Sequence, residues 1–375
     1  MSNTQKKNVP ELRFPGFEGE WEEKKLGDLT TKIGSGKTPK GGSENYTNKG
    51  IPFLRSQNIR NGKLNLNDLV YISKDIDDEM KNSRTYYGDV LLNITGASIG
   101  RTAINSIVEI HANLNQHVCI IRLKKEYYYN FFGQYLLSRK GKRKIFLAQS
   151  GGSREGLNFK EIANLKIFTP TIFEEQQKIG KFFSKLDRQI ELEEQKLELL
   201  QQQKKGYMQK IFSQELRFKD EEGKDYLDWT NERLGEVTTV TMGQSPKSVN
   251  YTDNSNDTVL IQGNADIENG LINPRIYTRE VTKLIQKDEI ILTVRAPVGK
   301  LAMAQINACI GRGVCSIKGD KFLYYFLEWF ATQNKWIRFS QGSTFESISG
   351  NDIRNIHIKI PVEDERTKII KLLNS

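Results

Sequence analysis

The chain has 375 residues, 37% of them hydrophobic, and a formal net charge of +10. That is enough apolar material for about two domain cores, and the charge favours an anionic partner. Nowhere do apolar residues run long enough to span a membrane, and Met1 to Pro10 is polar; neither a membrane segment nor a signal peptide is expected, and a cytoplasmic protein is expected.

From Glu11 the chain reads Glu-Leu-Arg-Phe, then Trp21, then Leu26-Gly27-Asp28-Leu29-Thr30. Short apolar runs punctuated by Gly, Pro, Asn and Ser follow at Ile51–Leu54, Val90–Ile94 and Val118–Leu123 and predict strands; the aromatic-rich stretch from Tyr127 to Phe146 predicts a helix. Next comes the longest periodic segment, Pro170 to Ser213. Ile179, Phe183, Leu186, Ile190, Glu193, Leu197, Leu200, Lys204, Tyr207 and Ile211 step by four and three, a 3.5-residue seam with two polar positions among Glu, Gln and Lys. The expected interface residues are Ile179, Phe183, Leu186, Ile190, Leu197, Leu200, Tyr207 and Ile211. A helix of this length runs roughly 60 Å at 1.5 Å per residue and reads as a spacer; packing on its own domain is the alternative.

At Glu215 the opening pattern returns: Glu-Leu-Arg-Phe218, Trp229 and Leu234-Gly235-Glu236-Val237-Thr238, with Trp and Leu-Gly shifted by 208. Ile59, Asn61 and Gly62 answer Ile267, Asn269 and Gly270 at the same shift. The stretch from Asp89-Val90-Leu91-Leu92 to Ile99-Gly100 aligns with Asp288-Glu289-Ile290-Ile291 to Val298-Gly299 at 199, and Val118-Cys119 with Val314-Cys315 at 196. Ile162, Asn164, Pro170, Glu174 and Ile179 align with Ile353, Asn355, Pro361, Glu365 and Ile370 at 191. Self-similarity over such a distance means a duplicated domain with loop deletions. The second copy predicts strands at Val259–Ile261, Glu289–Val294 and Val314–Ile317, a helix from Lys321 to Phe339, and a second spacer helix from Pro361 that is shorter than the first. The expected organisation is α+β, with domains at 1–169 and 214–360, spacer helices at 170–213 and 361–375, and a pseudo-twofold arrangement.

Several stretches imitate enzyme sites. Gly34-Ser35-Gly36-Lys37-Thr38 ends like a phosphate-binding loop, but Thr31 stands where that motif needs glycine, and the repeat at Gly243-Gln244-Ser245-Pro246 lacks Gly-Lys-Thr. His111, His117 and His357 have no ligand spacing for a metal. Cys119, Cys309 and Cys315 are odd in number and form no CxxC pair, so they read as core residues. No methyltransferase tetrad or metal-nuclease dipeptide is found, and no catalytic, metal or cofactor site is expected on this chain.

Polar, glycine-bearing loops that recur in both copies with changed side chains are suited to reading DNA. Arg55, Gln57 and Asn58 follow one strand, as Gln262 and Asn264 follow its repeat; Asn115 and Gln116 correspond to the Gly311-Arg312-Gly313 loop. Arg bonds guanine bidentately, and Asn or Gln bonds adenine. Lys37 and Thr38 form a glycine-rich tip whose counterpart carries Gln244, Ser245 and Lys247; Arg295 belongs to the same set. Ser150, Gly151, Gly152, Ser153 and Arg154 correspond to Gln341, Gly342, Ser343 and Thr344, where glycine permits close backbone approach. The basic run containing Lys142, Arg143 and Lys144 would attract phosphates, or would be a solvated helix face. An ordinary polar turn is the alternative at each loop.

Taken together, Leu26-Gly27 with Gly-Lys-Thr-Pro39, Gly88 to Gly100, the Ser150–Ser153 loop and Pro170 followed by Glu174-Glu175-Gln176-Gln177-Lys178-Ile179 resemble the specificity subunit of type I restriction-modification systems over essentially the whole chain. The resemblance implies two target recognition domains, each reading half of a bipartite site in double-stranded DNA, and paired antiparallel helices that set the gap. It implies a non-catalytic subunit working with modification subunits, two of them expected, that bind S-adenosylmethionine and methylate adenine, and with restriction subunits that use ATP and Mg. The second helix departs from the pattern by ending at Ser375. A coiled-coil adaptor without sequence-specific DNA binding, or a freestanding enzyme, is the competing expectation.

Overall fold

The computed structural model describes residues 9–108, 111–149, 156–336 and 347–374. The chain divides into two compact units, Met1–Glu194 and Gln195–Ser375, and the boundary falls inside one continuous helix, Phe173–Phe212.

In the first unit, one four-stranded sheet has the order Thr30–Ser35, Val118–Leu123, Val90–Asn93, Thr102–Ile104. A second has the order Val70–Ile72, Ile51–Leu54, Ala112–Leu114, Arg84–Thr85, with Ile51–Leu54 and Ala112–Leu114 parallel. Side chains alternate across each strand. Val90, Leu92, Cys119 and Ile121 therefore pack towards Phe131, Phe132 and Leu136 of the helix Tyr129–Leu137, while Leu91 and Ile120 pack with Leu54 and Leu114 of the second sheet. Each such side chain, fully buried, contributes about 1.5–3 kcal/mol. Burial also pushes the Cys119 and Cys315 thiols up to about 12, which keeps them protonated as inert core residues.

The second unit repeats the centre of this frame and adds short strands at the sheet edges, giving sheets of six and five strands among the described residues. Val240–Met242, Val314–Ile317, Ile290–Thr293 and Leu301–Met303 follow one another in one sheet, and Thr258–Ile261 lies parallel to Ala308–Ile310 in the other. The alternation returns as well: Ile290, Leu292, Cys315 and Ile317 face Phe322, Phe326 and Phe330, and Ile291 and Val314 face Ile261 and Ile310.

The ladders correct the repeat register in two places. Val90 pairs with Ile121 and Ile290 with Ile317, so Val90 corresponds to Ile290 and the shift there is 200. Buried Asp89 thus answers buried Glu289, and the left-handed Gly88 (φ 85°) answers Asp288 (φ 70°). The sequence match had followed an Asp that stands in the turn. Likewise Glu365 answers Glu175 and not Glu174. Glu175, fully buried, accepts from Arg13 Nε (2.7 Å) and Trp21 Nε1 (3.3 Å); Glu365, fully buried, accepts from Arg217 Nη2 (2.8 Å) and Trp229 Nε1 (2.9 Å). The repeated Leu-Arg-Phe and Trp residues therefore clamp the start of each spacer helix, where a carboxylate also suits the helix dipole.

Two element boundaries differ from expectation. The stretch from Tyr127 to Phe146 breaks at Ser138 into Tyr129–Leu137 and Arg139–Leu147, because Ser138 Oγ accepts from Gly141 N (3.1 Å) and caps a new helix. The second-unit helix is Lys321–Thr332. Along the long helix the ends of the seam dock, with Ile179 and Tyr207 packed against cores and Ile211 fully buried. Phe183, Leu186, Ile190, Leu197 and Leu200 are 40–58% exposed.

Candidate nucleic-acid interface

Three segments converge where the parallel strands of the first unit end. Lys37 N donates to Leu114 O (2.8 Å), Gly36 N to Val118 O (3.2 Å) and Asn115 N to Leu54 O (3.1 Å). Gly36 sits so close that a Cβ would overlap the Leu114 carbonyl, which is why the tip needs glycine there. Thr38 Oγ1 bonds Gln116 Oε1, and Gln116 Nε2 lies 3.2 Å from His117 Nε2. His117 Nδ1 lies 2.6 Å from Thr95 Oγ1. Lys37, Gln57 and Gln116 are exposed at this junction.

The same junction is built in the second unit. Gln244 N donates to Ile310 O (2.9 Å), Gly243 N to Val314 O (3.0 Å) and Gly311 N to Ile261 O (2.7 Å). Arg312 N donates to Ser245 Oγ (3.1 Å), so Ser245 and Arg312 stand where Thr38 and Gln116 stand. Arg295 bridges Ser347 as Thr95 bridges Gly156. Gln244, Lys247, Arg295 and Arg312 are exposed, and Gln262 and Asn264 are half-buried. The Glu280 carboxylate holds the tip from below by accepting from Lys247 N (3.0 Å) and Asn250 Nδ2 (2.6 Å). Those bonds, the Lys247 amide first, keep its carboxyl below the usual range.

Four of the expected readers are committed to the fold. Asn58 is buried, accepting from Arg55 N (2.9 Å) and donating to Asn65 O (2.9 Å); it caps a turn as Asp266 does in the second unit, accepting from Gln262 N (2.8 Å). Asn115 is buried and accepts from His117 N (3.2 Å). The Arg55 guanidinium donates to Asp68 O (2.8 Å) and lies over the Tyr46 ring. Lys144 donates to Lys166 O and sits near the Tyr135 and Phe168 rings. Short polar side chains favour such local bonds, and sequence alone does not tell a capping Asn from a reading one. Lys142 and Arg143 are exposed. Ser150, Gly151, Gly152, Ser153 and Arg154, and Gln341, Gly342, Ser343 and Thr344, lie outside the described residues. Thr95 was missed; its equivalence to Arg295 emerges only from the paired bridges.

Behind the first junction lie two buried polar hubs with no motif signature. Asp77 accepts from Asn113 Nδ2 (2.9 Å) and Arg84 Nε (3.0 Å) and lies 3.0 Å from His111 Nε2; Asp89 accepts from Arg122 Nε (2.8 Å) and Thr85 Oγ1 (2.9 Å). Burial pushes the Asp77 carboxyl up, but the bonds from Arg84, Asn113 and His111 together outweigh it and hold it below the ordinary value. These hubs rigidify the sheet that carries the junction. No helix among the described residues is long and apolar enough to cross a membrane.

The profile of the type I restriction modification DNA specificity domain matches residues 18–202 and again 226–375. A Methanocaldococcus jannaschii protein named as the MjaX type I restriction enzyme specificity subunit is 29% identical over 95% of this chain and 86% of its own length. The Escherichia coli EcoBI specificity subunit is 33% identical over 35% of this chain and 27% of its own length. Among solved structures, the type I restriction-modification S subunit from M. genitalium superposes with a TM-score of 0.62 at 17% identity, covering 98% of this chain and 92% of that one. A chain from a study of complex assembly in the type I R-M system gives 0.55 at 22%, covering 97% and 91%.

Proposed function

The chain belongs to the type I restriction-modification DNA specificity family, and on that premise we propose that it is the specificity subunit that brings such a complex to one bipartite DNA target. Each recognition domain reads one half of the site from its loop junction. One observation carries this: the two junctions share a backbone and differ in what they present. Lys37, Gln57 and Gln116 face solvent in the first, and Gln244, Arg295 and Arg312 in the second. A shared frame with exchanged tips is what two readers of different sequences require. Arg312 suits guanine through two hydrogen bonds to the major-groove edge, and the exposed Gln116 amide suits adenine once it exchanges its bonds to Thr38 and His117 for the base.

The chain itself is non-catalytic in this reading. Modification subunits, two of them, supply S-adenosylmethionine and adenine methylation; restriction subunits supply the ATP- and Mg-dependent steps, and the assembly works in the cytoplasm. The long helix sets the gap between half-sites. The test is a methylome of cells expressing the chain with its modification partners, wild type against a chimera in which residues 230–355 come from a related subunit. One half-site should change and the other persist. A change in both halves, or methyl transfer by the purified chain alone, would sink the reading.

A further inference from the structure

The two recognition domains are near copies in fold and unequal in charge. Residues 1–169 hold 27 Lys and Arg against 17 Asp and Glu; residues 214–360 hold 18 against 19. The net charge of the first, +10, accounts for that of the whole chain, and the second is close to neutral. The structure shows where the first domain concentrates part of its excess. Arg139, Lys140, Lys142 and Arg143 are all exposed on the nine-residue helix Arg139–Leu147. None of the four meets a carboxylate among the described residues. Lys142 shares a surface groove of about 440 Å³ with Arg101, Asn61 and Gln149.

Among the described residues of the second unit this helix has no counterpart. Ile145 packs at Gly100 as Trp336 packs at Gly299, and Leu136 is buried in its core as Phe330 is in its own. Between those anchors the first domain has three more residues than the second. The break at Ser138 and the buried Gly141, where a Cβ would overlap the Tyr135 carbonyl, turn the extra residues into a separate basic helix.

We propose that the first recognition domain is the electrostatic anchor of the DNA complex: Arg139, Lys140, Lys142 and Arg143, with Arg101 beside them, hold the phosphate backbone, while the second domain adds sequence contacts and little net attraction. The proposal rests on the DNA-reading function above. Its physical consequence is an uneven salt dependence, because each neutralised phosphate contributes about 0.9 to the slope of log affinity against log salt.

The experiment measures that slope between about 50 and 200 mM salt, for the full chain with its modification subunits on a labelled duplex of mixed sequence. Replacing Arg139, Lys140, Lys142 and Arg143 by Gln is expected to lower the slope by about 3 to 4. Replacing four exposed second-domain cations, Arg279, Lys283, Lys287 and Lys318, by Gln is expected to change it by less than about 1. The methylated target should be the same in both variants, and circular dichroism checks that each is folded. Equal slope losses in the two variants, or an unchanged slope in the first, would overturn the anchor. A wild-type complex with no affinity for duplex DNA would instead overturn the DNA-reading function itself.

Discussion

Replacing Arg217 by Met should destabilise the second unit through a charge left buried. Glu365 is fully buried and accepts from Arg217 Nε (3.2 Å) and Nη2 (2.8 Å), Trp229 Nε1 (2.9 Å) and Phe218 N (3.3 Å). Removing one partner of a fully buried pair costs about 3–5 kcal/mol. Here the Arg217 side chain is 22% exposed and two donors remain, so about 2–3 kcal/mol is expected. The hydrogen bonds to Glu365 first, against burial, hold the Arg217 guanidinium above its ordinary value. A raised cation loses its contribution only as pH rises through that folded value, so the loss should be constant across neutral pH. For a unit of this size the change corresponds to about 4–12 °C in melting temperature, read by calorimetry. The decisive comparison is with Arg217→Met combined with Glu365→Gln, which keeps an acceptor for Trp229 and removes the charge. The double variant should be more stable than the single one by at least about 1 kcal/mol. If it is no more stable, or if Arg217→Met costs under about 1 kcal/mol, the clamp does not work through a buried charge.

Asp77→Asn should cost about 2–3 kcal/mol at neutral pH by weakening the bonds from Arg84 and His111. Because the folded Asp77 value is depressed, its contribution is complete above the ordinary aspartate value near ~4 and disappears as pH falls through the lower folded one. Urea melts should therefore show wild type and variant converging in acid, and a constant difference would contradict the account. Gly36→Ala and Gly243→Ala place a Cβ against the carbonyls of Leu114 and Gly311 and should cost about 1–3 kcal/mol each. Each should weaken recognition of one half-site in a methylome, and loss of both halves from one substitution would break the assignment of one junction per half. Inserting four residues after Gln203 adds about 6 Å of helix and should lengthen the gap by about one or two base pairs. Two inserted residues rotate the seam by roughly 200° and should abolish recognition, whereas an unchanged gap after four would show that the helix is not the ruler.

The sequence by itself determined the duplication, the long helix and the chemical class of the loops. These are legible because they are local or periodic: a 3.5-residue seam, short apolar runs between turn residues, and repeated Leu-Gly and Trp positions that the same frame demands twice. The tertiary structure decided what depends on partners distant in the chain. Arg13 meets Glu175 across 162 residues, and only that contact tells Glu175 from Glu174. The strand ladder, not residue identity, sets Asp89 against Glu289. Which polar loop residues face outward was decided in the same way. Asn58 and Asn115 have the side chains of readers, but their amides close turns, whereas Gln116 and Arg312 stay at the surface because their neighbours take up the backbone bonds. A side chain's chemistry is written in the sequence, and its direction depends on the backbone groups folding leaves for it to satisfy.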